Sequence, residues 1–203
     1  MPRRADHLAR RRQLADALLR LAASQGLEAV SLRHVAAEAG VSTGMVQHYF
    51  RTKDEMMLFA LDVVMRNAEE RIGAVIAAAG RTLTPAELVR TLMIEILPLD
   101  ETRRREGHVI LAFLAYAAVK PQIADGLHRD ADQMRSFVAD QIRATQATAA
   151  TAPRIDPAHA ATTLLALVDG LGIQLLGRHH PPEEAVAALD AHLDLLFGVP
   201  AGR

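Results

Sequence analysis

The chain is 203 residues long, half hydrophobic and 23% charged, and it has no cysteine. Such a composition supplies a packed core and excludes wholesale disorder, while the missing thiols exclude disulfide frameworks, thiolate metal sites and cysteine nucleophiles. The net charge of −1 conceals a basic head and an acidic body, because residues 1–53 hold nine Arg/Lys against four Asp/Glu and residues 54–203 hold fourteen against twenty; a polyanion is expected at the head.

Apolar residues recur at helical spacing along the chain, and no β-branched run alternates in the manner of a half-buried strand, so the expected fold is all-α. A first helix is predicted over residues 6–24, with Leu14, Ala17, Leu18, Leu21 and Ala22 on one face and Gly26 as its stop. Asp16 and Arg20 interrupt this segment, which lacks the uncharged core of a secretory signal. Short helices follow at 32–39 and 43–49. Thr52 and Glu55 form a capping box for a long helix that ends at Gly80, with Met57, Leu61, Val64, Ala68, Ile72, Val75 and Ile76 as its inward stripe.

Thr84, Pro85 and Glu87 start the next helix, which stops before Pro98, and Asp100 caps another that reaches Val119. A helix from Gln122 into the 140s precedes an Ala/Thr-rich loop over 145–156. Asp156 and Pro157 restart the pattern. Residues 158–177 are apolar nearly all round but fall short of the roughly 20 apolar residues of a membrane span, so they read as a buried helix. The last helix covers 183–197, with Val186, Leu189, Leu193 and Leu196 inward. The expected division is a three-helix head, residues 1–52, on a larger helical body, residues 53–203.

The most specific signal is SLRHVAAEAGVSTGMVQHYF. Two short helices crossing steeply need a small residue at their contact, here Ala36, and a turn residue tolerant of positive φ, here Gly40. Val35, Val41 and Val46 fill the miniature core, and Ser42 caps the second helix, the expected reader of a DNA major groove. Thr43 and Gln47 share one face of it, as do Gly44 and His48, and the missing side chain at Gly44 permits close approach to DNA. Arg33 opens the first short helix within reach of a base or phosphate, Lys53 opens the long helix at a position suited to clamp the DNA backbone, and Arg3, Arg4, Arg10, Arg11 and Arg12 read as a phosphate-seeking arm or as a disordered solubilising tail.

The stretch GLEAVSLRHVAAEAGVSTGMVQHYFRTKDEMMLFAL resembles the DNA-binding head of TetR-family transcriptional regulators, over roughly residues 8–62 and including Tyr49, Phe50 and Lys53. The body segments LPLDETRRREGHVILAFLAYA, LVDGLGIQLL and ALDAHLDLLF are similar to the BetI-type branch of that family. The resemblance implies a homodimer reading the half-sites of a palindromic operator in double-stranded DNA, with a small-molecule effector in the body changing the separation of the heads. Within that frame the candidate pocket residues are Met65, Met93, Phe113, Tyr116, Met134, Phe137 and Gln141, apolar and pliable with a few polar anchors. Tyr116 stands out because a phenol on an apolar helix needs a partner. The chain has only seven aromatic residues and no tryptophan, too few for choline to be carried over as the effector from the branch.

The expected dimer surface is the 158–177 helix with the last one, through Leu164, Leu167, Val168, Leu171, Leu175, Leu189 and Leu193 as half of a four-helix bundle. Gly170 and Gly172 allow close helix approach there, and Asp169 requires a partner. Arg103, Arg104 and Arg105 read as a solvated helix face. Adjacent His179 and His180 diverge on a helix, and the glycines of DGLGIQLLG follow no strand, so neither a metal site nor a nucleotide loop, and hence no cofactor and no enzyme, is expected. The function expected is a ligand-responsive repressor in the cytoplasm, without membrane attachment. The reading set against it is a helical small-molecule-binding or protein-interaction dimer without sequence-specific readout of DNA.

Overall fold

The computed structural model describes residues 2–26, 30–148 and 155–198, the side chains of 2–6 and 121–126 excepted. The described residues form nine α-helices and no strand: α1 Pro2–Gln25, α2 Leu32–Glu38, α3 Thr43–Tyr49, α4 Lys53–Ala78, α5 Pro85–Ile96, α6 Glu101–Ala117, α7 Pro121–Thr148, α8 Pro157–Leu176 and α9 Pro182–Phe197. Two compact units result: Met1–Glu69 with Arg104–Val119, and Glu70–Arg103 with Lys120–Arg203.

In the first unit α1, α2 and α3 pack mutually, around Leu14, Leu18, Val30, Val35, Ala36, Val46 and Phe50, each at most 2% exposed. Ser31 and Ser42 accept hydrogen bonds from the backbone N–H of His34 and Met45, capping α2 and α3. The α2–α3 turn closes as a Schellman motif: Gly40, at φ +67°, and Val41 donate to the carbonyls of Ala37 and Ala36. Thr52 caps α4 by accepting from the N–H of Glu55, but the Glu55 carboxylate returns to the N–H of Arg51, one residue before the expected box partner.

In the second unit α5, α7, α8 and α9 share one core. Its α5 begins with the expected box, in which Thr84 accepts from Glu87 N–H and the Glu87 carboxylate accepts from Thr84 N–H. The Arg81 guanidinium grips the same carboxylate with two hydrogen bonds of 2.8 and 2.5 Å. Together these hold the Glu87 carboxyl at a pKa of about 2, with the Arg81 hydrogen bond as the largest cause. By length and hydropathy α8 would suffice to cross a bilayer, yet Ala160, Ala161, Leu164, Val168, Leu171 and Leu175 bury themselves in this core, as a helix apolar on several sides does when others cover it. It ends in a second Schellman motif, with Arg178 and His179 donating to the carbonyls of Leu175 and Gln174; Arg178 takes the left-handed position, φ +56°.

Three expectations about elements change. The inward stripe of α4 consists of Met56, Met57, Ala60, Val63 and Val64, whereas Val75 and Ile76 are exposed, because a 26-residue helix of nearly 40 Å outruns the core it starts in. Helix α7 continues through Thr148 and takes in the start of the expected loop, of which 149–154 lie outside the described residues. Arg103 does not lie on a solvated face. Its side chain is only 16% exposed and bonds to Asp100, Glu95 and the Ile94 carbonyl, with Arg71 on the other side of Glu95 at 3.1 Å. Three successive helix residues point 100° apart, so a run of arginines cannot share one environment.

Candidate nucleic-acid interface

Helix α3 turns Val46 into the head core and leaves Gly44, Met45, Gln47 and His48 exposed, with Thr43 and Tyr49 half-buried. A Cβ built on Gly44 would meet nothing closer than the Ser42 hydroxyl at 4.0 Å, so this side of the helix stands open. Arg33 is exposed on α2, and Lys53 is half-buried at the first position of α4. The candidate DNA-contacting residues Arg33, Ser42, Thr43, Gly44, Gln47, His48, Tyr49 and Lys53 thus all lie on α2, α3 and the two helix starts that flank α3. The Tyr49 ring meets two others, that of His48 at 5.1 Å between ring centroids and that of His7 of α1 at 4.7 Å.

Of the basic arm, Arg11 is engaged within the head. The Arg11 guanidinium lies over the rings of Phe50 and Phe59, 4.7 and 4.4 Å from their centroids, and pairs with Glu55 at 3.3 Å. Arg11 therefore fastens α1 to the start of α4 through cation–π and ionic contacts. Arg10 donates to Gln13, Arg12 is exposed, and the side chains of Arg3 and Arg4 lie outside the described residues. The signal was available, since position 11 precedes Leu14 by three and Leu18 by seven and so falls on the buried stripe of the helix.

The candidate effector residues divide between the units. Met65, Phe113 and Tyr116 belong to the first, where Phe113 is buried and Met65 is 43% exposed. Met93, Met134, Phe137 and Gln141 belong to the second; Met93 is fully buried and Met134 and Phe137 pack against the core. The Tyr116 phenol has found a partner within the chain, donating to the Asp54 carboxylate in the first turn of α4. Nearer the other end of the α4–α6 contact the amide of Asn67 donates to Glu106 at 3.2 Å, and Glu106 is the buried charged residue of the described chain, 7% exposed.

The expected dimer residues sit inside the chain. Leu164, Val168, Leu171, Leu175, Leu189 and Leu193 are each at most 8% exposed and Leu167 packs against them, all within the chain's own core. Outward positions on the same helices are Ala166, Asp169, Ile173 and Leu195, the last two 53% and 70% exposed. Hydrophobicity all round a helix does not say which side its own chain covers, and the most hydrophobic side goes to the core. Gly170 has open space above its Cα, whereas Gly172 lies against Pro98. Asp169 has no ion pair among the described residues, and burial by its neighbours raises its carboxyl above the usual carboxylate range.

A DNA-reading head built in this way matches known proteins. Residues 14–59 fit the family model described as "Bacterial regulatory proteins, tetR family", and residues 85–198 fit the one described as "BetI-type transcriptional repressor, C-terminal". The chain belongs to the TetR family. Among TetR relatives, the HTH-type transcriptional regulator PksA of Bacillus subtilis is 36% identical over 87% of this chain and 83% of its own. The HTH-type transcriptional regulator BetI of Paraburkholderia xenovorans is 29% identical over 97% of this chain and 98% of its own. A transcriptional regulator from Rhodococcus sp. Rha1 superposes with a TM-score of 0.80 at 36% identity, covering 93% and 96% of the two chains. One from Saccharomonospora viridis, solved in complex with choline, does so at 0.79 and 26% identity, covering 92% and 96%. The chain is accordingly a DNA-binding transcriptional regulator and not an enzyme.

Proposed function

We propose that this regulator is a repressor that binds a palindromic operator as a homodimer and is released by a small-molecule effector held in its helical body. The observation that carries the DNA half is the open face of α3, where Gly44, Gln47 and His48 are exposed beside Tyr49. Gln47 is suited to pair with an adenine edge, while Lys53 acts on the phosphate backbone and carries no sequence information. Residues 1–52 are the reading head and 53–203 the responsive and dimeric part. Release follows if the effector binds better to the conformation whose heads miss successive half-sites, by as much as its affinities for the two states differ.

The dimer surface is the outward face of α8 and α9 around Ala166, Asp169, Gly170, Ile173 and Leu195, supported by the exposure of Ile173 and Leu195 and the space above Gly170. The choline bound to the Saccharomonospora viridis regulator is not assigned here as effector. The aromatic candidates are three, Phe113, Tyr116 and Phe137, and the Tyr116 hydroxyl is already engaged by Asp54; an apolar or weakly polar molecule suits the Met and Phe side chains better. The protein works where its DNA is, in the cytoplasm. The experiment is operator binding by Gln47→Ala and Lys53→Ala. Gln47→Ala relaxes preference at one base pair, and Lys53→Ala weakens all sequences alike and lowers the salt slope by about one; equal affinity of the parent for operator and scrambled duplex would leave the alternative, a dimer without specific readout.

A further inference from the structure

We infer that His7, at the start of α1, is a positioning residue of the DNA interface, bracing the ring of Tyr49 for contact with the operator. This rests on the reading of α3 and Tyr49 as the DNA-contacting surface.

Tyr49 closes α3 and is half-buried. The neighbouring His48 meets its ring edge-on, at an interplanar angle of 85°. A second ring comes from far along the chain, that of His7, which lies 4.7 Å from that of Tyr49 at an angle of 51°. His7 is itself exposed, whereas among the described side chains of α1 the buried ones begin at Leu14, with Arg11 one turn before it. The His7 ring therefore adds little to the head core, and what it touches is the aromatic residue at the edge of the reading helix. An aromatic ring free to change rotamer must be ordered when DNA binds, and ordering a side chain in an interface costs about 0.5–1.5 kcal/mol. A ring already braced by two neighbouring rings avoids that loss, which converts to roughly two- to tenfold in operator affinity for each head.

The test uses the full-length protein and a fluorescein-labelled duplex carrying the palindrome enriched from fragmented genomic DNA, beside a scrambled duplex of equal length. His7→Ala is expected to weaken operator binding by that factor at each of the two heads, roughly four- to a hundredfold for the palindrome, without moving the thermal midpoint, and His7→Phe, which keeps a ring against Tyr49, to restore it. In a Tyr49→Ala background His7→Ala is expected to have no further effect, because a positioning residue acts through the group it positions. Unchanged operator affinity in His7→Ala, while Lys53→Ala still weakens binding, overturns the proposal and leaves the DNA reading intact. Additive losses in the double variant overturn it as well, as does a His7→Phe variant no better than His7→Ala, which would mean that the imidazole itself meets the DNA. If Lys53→Ala and His7→Ala both bind like the parent, or no palindrome is enriched, the DNA reading falls and the proposal with it.

Discussion

Removing one oxygen atom tests how α6 is fastened to the start of α4. Tyr116 donates its phenol to Asp54, a part-buried contact between residues 62 apart in sequence. Tyr116→Phe keeps the ring and its packing and removes the hydroxyl that makes this charge-assisted hydrogen bond, a class of bond that contributes about 1.5–3 kcal/mol. Asp54 is half-exposed and regains water when the phenol leaves, so the lower end, about 1.5 kcal/mol, is expected. In a chain of this size that lowers the thermal midpoint by about 3–6 °C. The assay is far-UV circular dichroism melting of the parent, Tyr116→Phe, Asp54→Asn and the double variant. The two single losses should overlap, with a coupling of about 1 kcal/mol or more between them. Strictly additive losses, or a Tyr116→Phe midpoint within about 1 °C of the parent, would refute the link as drawn.

Three further outcomes are expected. Ile173→Glu places a charge on an outward position of the proposed dimer face, 53% exposed in the single chain, so analytical ultracentrifugation should find the parent as a dimer and the variant as a folded monomer. Arg178→Gly relieves a non-glycine residue at φ +56° and should stabilise the α8 terminus by about 0.5–1 kcal/mol in urea unfolding, part of the relief being offset by the freedom of glycine in the unfolded chain. Glu87 has a folded-state pKa of about 2 against an ordinary 4.5. The stability it contributes is thus complete above pH 4.5 and lost as pH falls from there towards 2, so Glu87→Gln should flatten the acid limb of the parent's pH–stability curve over that window.

The head was legible because its signals are local. Ser42 caps α3, Gly40 supplies the positive φ of the turn, and Val35 and Val46 face inward at the expected spacing. What escaped the sequence depends on partners far along the chain. Arg11 is basic and N-terminal, and only Phe50 and Phe59, folded onto it, make it a fastener instead of an arm. Tyr116 needed a partner, and its phenol donates to Asp54 at the start of α4, which no local pattern names. Glu106 lies three residues before Val109 and seven before Phe113, and Arg103 three before Glu106, on the side of α6 that is buried, a periodicity that outranks their charge. For α8 the reading erred by taking the most hydrophobic positions for the dimer surface, when those belong to the chain's own core and the outward side carries Ala166, Asp169 and Ile173.

The central claim is that the α3 face reads a specific operator. The most direct test incubates the purified protein with fragmented genomic DNA from its source at near-physiological salt and sequences what stays bound. The account predicts one enriched palindrome whose half-sites lie one helical turn or more apart, with preference relaxed at one base pair of each half-site when Gln47 is replaced by alanine. Uniform recovery of all fragments, abolished by moderate salt, would contradict it, because binding through charge alone carries no sequence.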